Sequence, residues 1–364
     1  MNKNNLLLLG VGKTGNVLVN EMIELDKRYI SLMVNSSMGD MNKLKNFELA
    51  DHFLFPGEDG SGGDREYAKN LVKKRVQILI DKIIKYSLQK NIAIFTSSSG
   101  GTGSGSSILI IRALKKAVPD KSISIVVAMP SLSENENALK NAIGFWNDLI
   151  DLKNKNLVDT IYLIDNNKRR SLDDINKEAT KALNLAFSLN NFDKSGTIDQ
   201  NDSTRINTAK GYSFIMPLNS KFSELQDSID DSIKNSVFMI PKSYNCDYMG
   251  AVIQEKYYNL DELKGKFEVD KAEYCGSSDN QNLIVLGGLS IPKDGIDIIQ
   301  MALTDLEKGN SKKRIEEDLF IKVNDSRDER EEQAISRTKE KIIESTTVTA
   351  DVLNNLFNDN FWDD

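Results

Sequence analysis

Apolar positions along this chain keep two rhythms in turn. Short, mostly apolar runs at 6–9, 30–34, 92–95, 123–128 and 160–164 each end in a polar or glycine-rich stretch, the pattern of buried strands followed by loops. Between them apolar residues recur mainly at three- and four-residue steps, as in Val17, Val19, Met22, Ile23 and Leu25, and predict helices there and at 65–85, 108–114 and 136–153. Strands too apolar to face water on either side, each followed by a helix, imply an α/β fold whose parallel sheet is covered on both faces. Residues 171–192 read as a further helix, with Leu172, Ile175, Ala179, Ala182, Ala186 and Leu189 along one side. Ser171 and Asp174 give that helix a capping-box-like start.

Beyond it the pattern weakens. Strands are expected at 236–240 and 283–289 with amphipathic helices between them, while 256–282, rich in Lys, Glu, Asp and Ser, reads as an exposed excursion. From Lys308 the charge rises; 325–344 alternates sign as a solvated helix does, and 353–364 sets Leu356, Phe357, Phe361 and Trp362 among acids. The expected division is a parallel-sheet domain at 1–170, a connecting helix at 171–193, a smaller mixed α/β domain at 194–305, and a charged helix with its tail at 306–364.

Composition removes several function classes. A chain of 364 residues exceeds the size at which single cores stop growing, so more than one unit is expected. The net charge of −7 disfavours a broad grip on nucleic acid or anionic membrane, so any link to DNA would run through another protein. Two cysteines, Cys246 and Cys275, and one histidine, His52, are too few for a disulfide framework or a Cys/His zinc site. They leave a Ser/His/Asp or Cys/His nucleophilic enzyme with His52 alone. No apolar run is long enough to cross a membrane, and 6–9 is too short for a signal peptide, so a cytoplasmic protein with reduced thiols is expected.

The chemistry is carried by glycine. Residues 97–106 are Ser97-Ser98-Ser99-Gly100-Gly101-Thr102-Gly103-Ser104-Gly105-Ser106, placed between an apolar strand and an apolar helix. Glycine lets a ligand approach bare backbone N–H groups, and a following helix start adds unpaired donors and a positive dipole end, so this order suits phosphate. A flexible linker would lack such apolar flanks. Near the N-terminus Gly10, Gly12 and Gly15 satisfy the dinucleotide fingerprint G-x-G-x-x-G, but the acid required about twenty residues on is missing where the next strand ends in Asn35-Ser36-Ser37. Lys13-Thr14 suggests a P-loop, yet the earlier glycine of that motif falls on Leu7.

Gly100-Gly101-Thr102-Gly103-Ser104-Gly105 resembles the phosphate loop of the tubulin/FtsZ family, Gly-Gly-Gly-Thr-Gly-Ser/Thr-Gly, with Ser99 at the first position. Against that family the remaining loops fall into order. Gly10, Gly12, Lys13, Thr14, Gly15 and Asn16 resemble its first nucleotide loop, and Asn35 opens the second, where Ser37 replaces an acid. Gly57-Glu58-Asp59-Gly60-Ser61-Gly62-Gly63-Asp64 resembles the third, near the terminal phosphate, although such a stretch also suits a plain turn. Pro130 and Glu134 keep the family's spacing toward the ribose, while its arginine four residues later is Ala138. Asn166, with Asn167 beside it, stands where an asparagine meets base or ribose. Asn176 stands where an amide pairs with guanine, and Leu172 where an aromatic stacks on it. The resemblance implies GTP and GDP as ligands, held by these residues together with Ser99, Gly100, Gly101, Thr102, Gly103 and Ser104. It also implies Mg²⁺ on the phosphates, and the chain itself offers no soft-metal cage.

Asp199 and Asp202 match the family's acidic D-x-x-D loop, both in their own spacing and in their distance ahead of Gly211-Tyr212. Two carboxylates beside phosphate in one chain would repel it, whereas on a neighbouring subunit they can orient or deprotonate a water. The resemblance therefore implies a GTPase that stacks head to tail into filaments and hydrolyses GTP at the junctions. The departures at Ser37 and Ala138 and the charged C-terminal region look more like the TubZ group of plasmid and phage partition proteins. In that group a filament moves DNA through a DNA-binding adaptor, here expected to meet the C-terminal region, with no direct nucleic acid or membrane contact. A cell-division GTPase of FtsZ type is the alternative; an NAD-dependent oxidoreductase or a non-polymerising GTP-binding regulator is more distant.

Overall fold

The computed structural model describes residues 3–56, 60–168 and 170–318, with side chains up to residue 309. Gly57, Glu58 and Asp59 of the third loop, the charged helix at 325–344 and the tail at 353–364 lie outside these residues. Among the described residues ten strands form one sheet: β1 (Leu6–Val11), β2 (Ile30–Asn35), β3 (Asp51–Leu54), β4 (Asn91–Ser97), β5 (Ser122–Ala128), β6 (Thr160–Ile164), β7 (Gly211–Pro217), β8 (Cys246–Ile253), β9 (Val269–Ser277) and β10 (Leu283–Leu289). Their spatial order is β3-β2-β1-β4-β5-β6-β7-β10-β8-β9. From β3 to β7 every pairing is parallel, β10 runs antiparallel to β7 and β8, and β9 lies parallel to β8 at the edge.

The helices are α1 (Gly12–Leu25), α2 (Met38–Met41), α3 (Arg65–Ile84), α4 (Gly101–Ala117), α5 (Glu136–Asn154), α6 (Leu172–Phe187), α7 (Gln200–Asn207), α8 (Leu225–Asn235), α9 (Leu260–Leu263) and α10 (Asp294–Asp318). Tertiary contacts gather the described residues up to Leu306 into one compact unit. The runs read as buried strands are buried apart from Ile30 at the start of β2: β1, β4 and β6 have no exposed residue. Ser171 caps α6 as expected, its Oγ accepting from the Asp174 N–H at 3.1 Å.

Three local expectations need correction. The run 101–106 is helical, because α4 starts at Gly101. Low propensity is overridden there by packing, since a Cβ on Gly105 would meet the Arg65 carbonyl oxygen at 2.4 Å and only glycine lets α3 and α4 approach so closely. Residues 236–240 form no strand; Phe238 makes an isolated bridge to Ile164, and Pro241 follows at once. The supposed excursion at 256–282 contains β9, whose polar residues suit an edge position. The pattern also hid β8. Its Gly250 interrupts the strand signal, and a Cβ there would strike Ile206 at 2.3 Å and Leu189 at 2.6 Å, so α7 and the 3₁₀ turn Leu189–Asn191 seat directly on that strand.

Candidate nucleotide site and acid loop

Two helices begin at the carboxyl end of the sheet without a side-chain cap. The N-cap residues are Val11 for α1 and Gly100 for α4, and neither offers a side-chain acceptor, whereas Asp64, Asn135 and Ser171 cap α3, α5 and α6. Their first N–H groups are left to a ligand, at the positive end of each dipole. Glycine makes the two starts compatible. Gly12 has φ +76°, and a Cβ on it would meet the Gly103 nitrogen at 2.7 Å; a Cβ on Gly15 would lie 2.0 Å from the Phe95 carbonyl oxygen. Gly10 is packed as tightly, against Asn16.

A cleft of about 870 Å³ opens in front of these starts, a size suited to a nucleotide. Of the residues singled out in the sequence, Lys13, Thr14, Ser99, Glu134, Asn166, Asn167, Leu172 and Asn176 line it. Lys13 pairs with Asp40 at 3.6 Å, and its side chain is otherwise largely exposed. Nine buried side-chain polar atoms among the described residues have no protein partner, and three of them belong to predicted site residues: Asn16 Oδ1, Asn35 Nδ2 and Asn166 Oδ1. Buried polar atoms without partners cost stability, so these need an occupant or water. The structure separates the two adjacent asparagines. Asn167 accepts from the Leu132 N–H at 2.7 Å and donates to the Pro130 carbonyl at 3.1 Å, which spends it on holding the 130–134 loop, while Asn166 keeps an orphan oxygen. Glu134 accepts from the Ser131 N–H at 2.9 Å in the same loop.

Gly10, Gly12, Gly15, Asn16, Asn35, Gly60, Gly62, Gly63, Gly100, Gly101, Thr102, Gly103, Ser104 and Pro130 are not among the residues that line the cleft. The Gly60 N–H donates to the Ser36 carbonyl at 3.2 Å, and the Asn141 amide donates to the carbonyls of Gly63 at 2.8 Å and Ser99 at 3.1 Å. Thr102 Oγ1 lies 2.8 Å from Ser36 Oγ and donates to Ser61 Oγ at 3.0 Å. Ser104 turns its hydroxyl back to the Gly100 carbonyl, inside its own helix. Second, third and glycine loops are thus one hydrogen-bonded body. Sequence reasoning missed Ser36, Ser61 and Asn141, whose residue types carry no signal until the fold joins them. It also missed Val17, Lys168 and Arg170 at the cleft rim.

Asp199 and Asp202 are elsewhere. They form a reciprocal capping box on α7: Asp199 Oδ1 accepts from the Asp202 N–H at 2.8 Å, and Asp202 Oδ2 accepts from the Asp199 N–H at 3.1 Å. The Asp202 N–H holds the exposed Asp199 carboxyl below its ordinary range. Helix α6 starts at the cleft with Leu172 and Asn176 and runs sixteen residues away from it, about 24 Å at 1.5 Å per residue. α7 then leads into β7, whose Gly211 pairs with Thr160, the first residue of β6. Neither acid is among the residues that line the cleft.

Among the described residues no cluster of His, Cys, Asp or Glu could hold a metal ion. No helix among them is long and apolar enough to cross a membrane. Cys246 and Cys275 are free thiols, both pushed up to about 12 chiefly by burial.

A parallel sheet with glycine-rich strand ends, two uncapped helix starts and a nucleotide-sized cleft defines an α/β nucleotide-binding domain. More particularly, residues 5–174 match the tubulin/FtsZ family GTPase domain, and this part of the chain is a GTPase domain of that family. Over 357 residues, 98% of this chain and 99% of the relative, the sequence is 24% identical to the tubulin-like protein TubZ of Clostridium botulinum C phage. It is 28% identical over 287 residues to the tubulin-like protein CetZ of Thermococcus kodakarensis, covering 73% of this chain and 71% of that one. A solved structure of Clostridium botulinum phage c-st TubZ with a truncated C-terminal tail superposes with a TM-score of 0.78 at 25% identity, covering 84% of this chain and 99% of that chain. A GTPγS-form protofilament of Bacillus thuringiensis TubZ shares the fold, with a TM-score of 0.70 at 14% identity and coverage of 85% and 94%. The hydride-transfer reading of Gly10, Gly12 and Gly15 has no place in such a domain.

Proposed function

We propose that this protein assembles head to tail into filaments and hydrolyses GTP at the junctions between subunits. The observation that carries this reading is the separation of cleft and acids by the length of α6. Asp199 and Asp202 do not line the cleft of their own chain, and in the proposed head-to-tail stack the acid loop of one subunit faces the cleft of the next. Such a heterologous contact leaves its ends open and propagates as a filament. The protofilament form of Bacillus thuringiensis TubZ supports the same arrangement.

In the cleft, the N–H groups of α1 and α4 hold the phosphates, Thr102 fixes the loops around the terminal one, and Asn166 and Asn176 address ribose and base. The fit rests on the unpartnered Asn166 Oδ1 at the cleft and on two helix starts that carry no side-chain cap. Asp202, with Asp199, takes a proton from the attacking water or orients it. An ordinary carboxyl is already ionised at neutral pH, and the Asp202 N–H holds that of Asp199 lower still. Mg²⁺, when bound, would neutralise phosphate charge, and the mutually hydrogen-bonded hydroxyls of Ser36, Ser61 and Thr102 would be the oxygens this chain offers it.

The filament's role in this reading is DNA partition through a DNA-binding adaptor. Full-length similarity to the phage TubZ supports it, as does a net charge of −7 that disfavours direct contact with DNA. Phosphate release per molecule, measured against protein concentration, tests the junction. Turnover rises steeply above a threshold concentration at which protein begins to sediment with GTP; a rate independent of concentration would falsify the shared site.

A further inference from the structure

The loop that carries the acids is fastened to the edge strand of the sheet. Asp193 lies six residues before Asp199 in the loop. Its Oδ1 accepts from the Ser195 N–H at 2.9 Å and from the Ser195 hydroxyl at 2.5 Å, and its Oδ2 accepts from the Ile198 N–H at 2.7 Å, the residue next to Asp199. The carboxylate rests against Gly276 near the end of β9, where a Cβ would lie 2.2 Å from its Oδ1 and 2.5 Å from its Cγ. The backbone there is not left-handed, so this space is what calls for glycine. Around the pair, the Lys194 N–H donates to the Ser277 carbonyl at 2.8 Å, and the Ser277 N–H donates to Ser195 Oγ at 3.3 Å. Beyond the loop, Arg205 reaches Tyr274 of β9 at 3.3 Å and lies 3.8 Å from Asp202.

We propose that Asp193 is a positioning residue for hydrolysis, clasping the loop of Asp199 and Asp202 to the end of β9 through Gly276. The inference rests on the junctional reading above and deepens it. A capping box fixes the two acids relative to α7 only, whereas a water attacking the neighbour's nucleotide must be met at a set place on the whole subunit. The three hydrogen bonds at Asp193 and the sheet-edge contact at Gly276 supply that second constraint. Without them the loop keeps its cap and loses its address.

The experiment uses full-length protein, with turnover expressed per sedimented subunit and GTP affinity measured separately. Asp193→Ala lowers kcat on the order of tenfold or more while KM and GTP affinity stay within twofold, as a misplaced catalytic group does. Gly276→Ala, on another element, forces the carboxylate off its partners and gives the same split. Asp193→Asn, which keeps an acceptor toward Ser195, recovers part of the rate. Adding Asp193→Ala to Asp202→Asn costs no further rate, because the clasp acts only through the acids.

Wild-type kcat in both Asp193→Ala and Gly276→Ala overturns the assignment, as does an additive loss in the double variant. Should Asp193→Ala fail to sediment, Gly276→Ala and Asp193→Asn carry the same comparison. Normal hydrolysis by Asp202→Asn is a different failure: it removes the junctional acids themselves and the reading on which the clasp stands.

Discussion

Gly15→Ala sets two local effects against each other and lets the structure decide the sign. Gly15 lies in the first turn of α1, where alanine is the better helix former by about 1 kcal/mol. Against this, the new Cβ would stand 2.0 Å from the Phe95 carbonyl oxygen, 2.8 Å from its carbon and 3.3 Å from the Thr96 Cα. These are backbone atoms of β4, a strand held by ladders to β1 and β5, so no side-chain rotation relieves the clash. Restoring ordinary contact needs α1 to lift by about 1.5 Å from the sheet. That loosens Leu18, Val19 and Met22, all fully buried, and displaces the helix start that lines the cleft. Overpacking of this kind costs up to about 3 kcal/mol, so the net expectation after propensity is a loss of about 2 kcal/mol. The urea midpoint reports the stability, and titration with a fluorescent GTP analogue reports the site; both fall together. Gly100→Ala is the contrast, since its Cβ meets only the Ser97 hydroxyl at 3.1 Å, and it stays within about 0.5 kcal/mol of wild type. Equal stability and equal GTP binding in Gly15→Ala would mean that α1 is not seated on β4 as described.

Other perturbations address the site and the pH response. Thr102→Val keeps the volume but strands Ser36 and Ser61; GTP affinity drops roughly tenfold by calorimetry, and an unchanged value would take Thr102 out of the phosphate loop. Asn166→Ala weakens nucleotide binding with little change in melting temperature, whereas Asn167→Ala, which cuts the bonds to Leu132 and Pro130, lowers the melting temperature as well; identical behaviour of the two contradicts the division of labour. Asp26 is held well below the usual carboxylate range, first by Arg28 and also by Lys3, which reaches Asn184 on α6. A depressed carboxyl stabilises the fold above the ordinary value near 4 and loses that contribution as pH falls, so Asp26→Asn is less stable than wild type at pH 7 and the gap closes below about pH 4. A constant gap across that range in urea titrations is the contrary result.

The nucleotide half was legible because its strands are so apolar that few alternatives exist, and β1 and β4 run into glycine where the chain must turn tightly. The start of α4 was not, since glycine and serine argue against a helix and only contact with α3 makes one. β8 was hidden for a related reason: Gly250 breaks the apolar pattern in order to admit Ile206 and Leu189 from above. Asn166 and Asn167 are neighbours of one type, and sequence cannot say which is spent on holding a loop. Asp199 and Asp202 were found by spacing, but their mutual capping appears only in three dimensions.

The join between β6 and β7 is narrow, with Thr160 facing Gly211 and Ile161 facing Tyr212 as its only paired positions. Its neighbours β4 and β5 are matched along seven residues. A sheet so stitched has a seam, and load transmitted lengthwise flexes it there before any other ladder slips. Because α6 crosses the same line as a stiff strut, with the cleft at its head and α7 beyond its foot, flexure tilts one end against the other without unravelling either.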